Sequence, residues 1–84
     1  MYYYTYLLKS ITPGTKKTYA GYSSDTEKRL IKHNSNIGAK STKGYKWKLV
    51  FKKKFKSKSE AMSYEYKLKK DRVLRKKILE KFDK

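Results

Sequence analysis

A chain of 84 residues with 24 Lys and Arg against seven Asp and Glu carries a formal charge of +17. At this length only roughly 60–65% of the unfolded surface is buried on folding, which leaves no room for a second domain and makes nine Tyr, three Phe and one Trp the main source of core volume. The absence of Cys excludes disulfides and thiolate metal sites, and no run approaches the ~18 apolar residues that span a bilayer.

The charge itself points to a polyanionic partner. Nucleic acid comes first, because phosphate contacts with counterion release give affinity without any sequence code. An anionic membrane surface is the rival, and part of the Lys excess matches the general Lys bias of A+T-rich genomes. The N-terminus lacks a basic leader and a small-residue cleavage site, so a cytoplasmic, intracellular chain is expected.

Tyr2 to Lys9 is rich in aromatic and β-forming residues and predicts a strand that starts almost at the first residue. Pro13-Gly14 is a turn signal, and Lys17 to Tyr22 resumes a strand, so the two runs read as an antiparallel hairpin. Asp25 has N-cap chemistry for a helix carrying Glu27 in its first turn and Leu30 as apolar anchor, ending near His33-Asn34. A basic, Gly-containing loop follows from Ala39 to Tyr45. Trp47, Leu49, Phe51 and Phe55 then fall on a period of two, with Val50 on the other face, which predicts a third strand with one apolar and one cationic face. Ser57-Lys58-Ser59-Glu60 matches a capping box and opens a helix with Ala61, Tyr64 and Leu68 at helical spacing. Asp71 breaks or restarts it, and Leu74, Ile78 and Phe82 mark a last amphipathic helix. The expected fold class is α+β, order β-β-α-β-α-α, with a small three-stranded antiparallel sheet flanked by helices in one domain over 1–84.

Few residues offer chemistry. Glu65 lies one position round from Tyr64 on its helix, near the expected sheet. A carboxylate there suits Mg²⁺ or Mn²⁺, since hard cations take oxygen donors; the competing reading is an i,i+4 ion pair with Lys69. Arg29 and His33 are four apart and share a helix face. Arg presents a planar fork for phosphate oxygens, and His exchanges a proton near neutral pH. Tyr6 and Tyr19 stand on neighbouring strands, where a hydroxyl beside cations could lose its proton more easily and activate water. Taken singly, each of these has an ordinary structural explanation.

The order of the pieces resembles the GIY-YIG nuclease superfamily, above all its small single-domain members. Tyr4-Thr5-Tyr6 stands where the family has Gly-Ile-Tyr, and Tyr19-Ala20-Gly21 where it has Tyr-Ile-Gly, with Gly21 as the motif glycine. Arg29 lies eight residues beyond Gly21, at the place of the family's arginine, and His33 stands four further on. Glu65, within Ser59-Glu60-Ala61-Met62-Ser63-Tyr64-Glu65, matches the metal-binding glutamate. Gly38 to Gly44 looks like the small members' Gly-rich basic loop. The likeness runs from Tyr2 to about Lys70, with Tyr4, Thr5 and Ala20 departing from the motifs.

What the resemblance implies is a metal-dependent endonuclease. One divalent ion, Mg²⁺ or Mn²⁺, is expected on Glu65, with Tyr6 or Tyr19 as general base, Arg29 stabilising the transition state and His33 orienting water or assisting proton transfer. Lys40, Lys43 and Lys48 are phosphate contacts expected from charge alone. With no helix suited to reading base edges, sequence specificity should be low. DNA is expected ahead of RNA, in branched, flapped or single-stranded form, with no membrane partner and the oligomeric state open. The alternative is a non-catalytic nucleic-acid-binding module on the same fold.

Overall fold

The computed structural model describes residues 2–35 and 42–82. Along them run β1 (Tyr3–Ser10), β2 (Thr18–Ser23), α1 (Thr26–Asn34), β3 (Trp47–Phe55), α2 (Lys58–Lys70) and α3 (Arg72–Phe82). This is the β-β-α-β-α-α order of an α+β fold. The strands form one antiparallel sheet in the order β2-β1-β3. β1 is central because its apolar residues serve both faces, with Tyr6, Leu7 and Leu8 all buried.

Each face has its own core. Tyr6 and Leu8 pack with Trp47 on one side, joined by Tyr19, Leu49 and Leu30 of α1. Leu7 and Ala20 pack with Leu68 of α2 on the other, joined by Val50, Phe51 and the apolar residues of α3. The sheet is thus held between α1 and the α2–α3 pair.

β3 departs from strict alternation. Leu7 pairs with Phe51 but Leu8 pairs with Leu49, so Val50 is an extra residue in a β-bulge. Trp47 and Leu49 face α1, whereas Phe51 and Phe55 lie against Tyr64 of α2, with ring centroids 6.3 and 5.5 Å apart. The single apolar face expected for Trp47, Leu49, Phe51 and Phe55 is therefore split between two cores, since one inserted residue inverts every side chain beyond it.

Side chains set the element ends as their chemistry predicts. Pro13 and Gly14 (φ +80°) occupy the turn of the β1–β2 hairpin, where only glycine adopts that backbone freely. The Asp25 carboxylate accepts from the Lys28 amide at 3.1 Å, and the Ser57 hydroxyl accepts from the Glu60 amide at 3.2 Å. Asp71 closes α2 in extended backbone and accepts from the Leu74 amide at 2.9 Å, so one residue ends a helix and opens the next. The buried Thr5 hydroxyl donates to the Ala61 carbonyl at 2.6 Å, joining the central strand to α2. No helix among the described residues is long and apolar enough to cross a membrane.

Asp71→Ala removes the cap of α3 and is expected to cost about 1 kcal/mol. In a domain of this size that lowers Tm by about 4–8 °C, read by circular dichroism, whereas Asp71→Asn keeps most of the stability.

Candidate active site

The β1–β2 register sets Tyr6 opposite Gly21 and Leu8 opposite Tyr19, which places both motif tyrosines on the α1 side of the sheet. Gly21 is there for space. A Cβ on it would fall 2.5 Å from the Tyr6 hydroxyl oxygen, 2.7 Å from Tyr6 Cζ and 3.1 Å from Tyr19 Cε2. Only a residue without a side chain lets the Tyr6 ring lie across β2. The two tyrosine rings then stand 6.5 Å apart.

α1 brings the next two groups. Its far end is clasped to β3 by Asn34, whose Oδ1 accepts from the Trp47 amide at 2.6 Å and whose Nδ2 donates to the Trp47 carbonyl at 3.1 Å. So held, the helix turns Arg29 and His33 toward the tyrosines. The His33 ring centroid is 4.8 Å from that of Tyr19. His33 Nε2 lies 3.1 Å from the Tyr6 hydroxyl, and Nδ1 lies 2.9 Å from the Thr42 hydroxyl.

Burial decides the electrostatics. Tyr6 is 1% exposed and His33 0%, so neither meets solvent. Burial pushes the Tyr6 hydroxyl above its ordinary pKa, and the Arg29 guanidinium beside it offsets only part of the rise. The expectation that neighbouring cations would ease proton loss is reversed at Tyr6, which is a protonated donor at neutral pH. His33 is held below 6.5, first by burial and then by Arg29, and is neutral there. The Tyr6 hydroxyl beside it holds the Arg29 pKa above its ordinary value. Arg29 Nε is buried with no acceptor among the described residues.

Glu65 comes from α2, across the sheet, past the edge strand β2. It joins Tyr19, Gly21, Tyr22, Ser23 and Arg29 along a cleft of about 310 Å³. Its carboxylate, 14% exposed, also meets Lys69 Nζ at 2.7 Å, on a side chain that is 53% exposed. Glu65 raises the Lys69 pKa accordingly. The helical ion pair is thus present, and the carboxylate that makes it still lines the cleft. A neighbouring cleft of about 340 Å³ shares Tyr19 and adds Lys69 and Arg75.

Tyr19, Arg29 and Glu65 thus line one cleft, with Tyr6 and His33 directly beneath it. The lysines are dispersed. Lys43 is exposed in the turn before β3; Lys48 pairs with Lys9 on the α3 side, its Nζ 4.8 Å from the Phe82 ring centroid; Lys40 lies outside the described residues. Sequence reasoning passed over Tyr22, Ser23, Arg75 and Thr42. The first two simply continue the strand that carries the motif glycine, and nothing in residue spacing marks the others.

A family model described as the GIY-YIG catalytic domain matches residues 2–77. The chain belongs to the GIY-YIG family, a nuclease-related family whose substrates are nucleic acids. It is similar to UPF0213 protein SSP2268 of Staphylococcus saprophyticus, 50% identical over 52 residues that make up 61% of this chain and 63% of that protein. It is similar also to UPF0213 protein YsiG of Lactococcus lactis, 45% identical over 65 residues, or 76% and 60% of the two chains. The chain thus spans less than two thirds of the length of both relatives. Among solved structures, the solution NMR structure of UPF0213 protein BH0048 from Bacillus halodurans matches with a TM-score of 0.50 and 36% identity, covering 94% of this chain and 82% of that one.

Gly21→Ala is expected to destabilise the fold by about 1–3 kcal/mol through overpacking against Tyr6, seen as a lower urea midpoint at unchanged slope. Because unfolding frees His33 to take up a proton, stability is complete above its ordinary pKa of 6.5. It falls as the pH drops below that value, at up to about 1.4 kcal/mol per pH unit. His33→Gln should flatten this part of the stability profile.

Proposed function

We propose that the chain, as one GIY-YIG-like domain, is an endonuclease that hydrolyses phosphodiester bonds with one divalent cation, Mg²⁺ or Mn²⁺, at Glu65. The substrate is DNA rather than RNA, cut with low sequence specificity and a preference for branched, flapped or single-stranded geometry. The observation that carries this reading is the buried Arg29 Nε without an acceptor, in a cleft shared with a tyrosine and a carboxylate. An orphaned buried donor costs about 1–3 kcal/mol. The guanidinium that carries it lines the cleft, and its planar fork matches the oxygens of a phosphate.

The donor set suits a hard, hydrated cation. Among the described residues no group of three or more His, Cys, Asp or Glu could hold a metal, which leaves the site short of the three protein ligands of catalytic zinc. Mg²⁺ keeps several waters and needs only one or two carboxylates plus substrate phosphate oxygens. When bound, the ion supplies Lewis-acid polarisation of the phosphoryl oxygen. Lys69 yields its place readily, since its own side chain is 53% exposed and helical i,i+4 ion pairs are worth only ~0.3–0.5 kcal/mol.

The side chains then divide the work. Arg29 stabilises charge that builds on the phosphorane-like transition state, a preorganised term that usually outweighs proton transfer. Of the two candidate bases, accessibility favours Tyr19, which lines the cleft; Tyr6 is buried and protonated. His33, neutral and enclosed, acts on the site through Tyr6 rather than on water. Lys40, Lys43 and Lys48 are phosphate contacts outside the site, part of the wider cationic field that draws in nucleic acid. With one site per chain, a double-strand cut takes two chains or two events.

The test is cleavage of plain, branched and flapped DNA, and of RNA, with Mg²⁺ or Mn²⁺. Glu65→Ala and Arg29→Ala should each lower the rate by about 10²-fold or more with binding near wild type. Tyr19→Phe should cost more rate than Tyr6→Phe, and Tyr6→Phe more stability. Full activity in the Glu65 variant would falsify the metal assignment. Steeply salt-dependent binding with no cleavage under any divalent ion would assign the chain instead as a non-catalytic nucleic-acid-binding module.

A further inference from the structure

The buried hydrogen-bond chain beneath the cleft runs Tyr6, His33, Thr42, and the direction of each proton in it follows from counting donors. Arg29, beside the Tyr6 hydroxyl, has only donors and so cannot accept the Tyr6 proton. The remaining hydroxyl neighbour of Tyr6 is His33 Nε2, at 3.1 Å. If His33 carried its proton on Nε2, the Tyr6 hydroxyl would face only donors and its own O–H would be buried with no acceptor, at a cost of about 1–3 kcal/mol. The satisfied arrangement has the Tyr6 O–H donating to Nε2. That leaves the imidazole proton on Nδ1, where the Thr42 hydroxyl oxygen waits at 2.9 Å. Thr42 is itself fully buried, and its carbonyl accepts from Trp47 Nε1 at 3.0 Å, so the main core of the α1 face fixes its place.

We infer that Thr42 is a positioning residue: by accepting the Nδ1 proton it stabilises the tautomer of His33 that the Tyr6 hydroxyl requires, and so holds that hydroxyl in place beside the Arg29 guanidinium. Its effect on catalysis rests on the nuclease reading above; the proton position does not. Thr42, fully buried, works through two intervening side chains. By analogy with outer partners that orient metal-bound histidines, its removal should cost about 10–100-fold.

The chain holds a single histidine, so one imidazole spectrum decides the matter without assignment. In ¹⁵N-histidine-labelled protein at neutral pH, long-range ¹H–¹⁵N correlations should show Nδ1 protonated and Nε2 bare in the wild type. Thr42→Val, which keeps the shape but cannot accept, should shift the ring toward the Nε2–H form, and Thr42→Ser should restore the wild-type pattern. An Nε2–H wild type overturns the inference, as does an unchanged tautomer in a folded Thr42→Val; if that variant fails to fold, wild type and Thr42→Ser still decide it. In cleavage assays Thr42→Val should lower kcat with KM unchanged, and Thr42→Ser should recover it. Undiminished kcat alongside a changed tautomer overturns the link to catalysis. A wild type that cleaves nothing sinks the nuclease reading alone, since the spectrum still locates the proton.

Discussion

A phenol hydroxyl enclosed at the centre of the sheet is the constraint on which the rest of the site depends. Tyr6 sits on the middle strand with 1% of its surface exposed, so its hydroxyl has no water to fall back on. Its partners must come from the chain. α1 answers with His33 and Arg29 four residues apart, and β2 with an empty position at Gly21 where the ring can pass. An unmade bond there would cost about 1–3 kcal/mol, a sizeable share of the roughly 5–15 kcal/mol that holds a domain together. The angle of α1, the motif glycine and the orientation of Arg29 are therefore parts of one requirement. The candidate cleft is built on top of a stability problem already solved.

Much of this was legible in the chain itself, where the signals were local. Asp25, Ser57 and Asp71 each announce a helix start through a short polar side chain, and each is found capping one. The Tyr6, Gly21, Arg29 and Glu65 positions could be lined up with a known nuclease pattern because their order and spacing survive. What escaped depends on contacts between segments far apart in sequence. The bulge at Val50 arises from pairing with a strand some forty residues earlier, and no alternation within β3 itself reveals it. The reversal at Tyr6 has the same origin: cations beside a phenol lower its pKa in the open, but α1 laid over the ring makes burial the larger effect. Thr42 was visible only as one member of a basic loop. Its hydroxyl became meaningful once His33 was found beside it.

A formal charge of +17 on so short a chain opposes compaction through self-repulsion. The aromatic content that supplies the core also tempers this. Lys54 Nζ rests 3.9 Å from the Tyr2 ring centroid, Lys17 4.7 Å from that of Tyr45, and Lys53 4.8 Å from that of Tyr64. Each such contact is worth about 0.5–1 kcal/mol at an exposed site, and the lysine stems cover apolar surface while their heads stay wet.

The hydrogen bond from Thr5 to Ala61 has a mechanical consequence. Ala61 stands one turn before Glu65, so its carbonyl also receives the Glu65 amide in the helical ladder. The central strand therefore grips the very turn that carries the carboxylate. α2 cannot slide along the sheet, even by a fraction of a turn, without breaking a buried 2.6 Å bond. The gap between carboxylate and guanidinium, which come from opposite faces of the sheet, is held by this strut together with the buried Ala61 and Leu68 of α2. In a protein with so little mass behind its working parts, dimensional accuracy comes from a gauge block built into the strand.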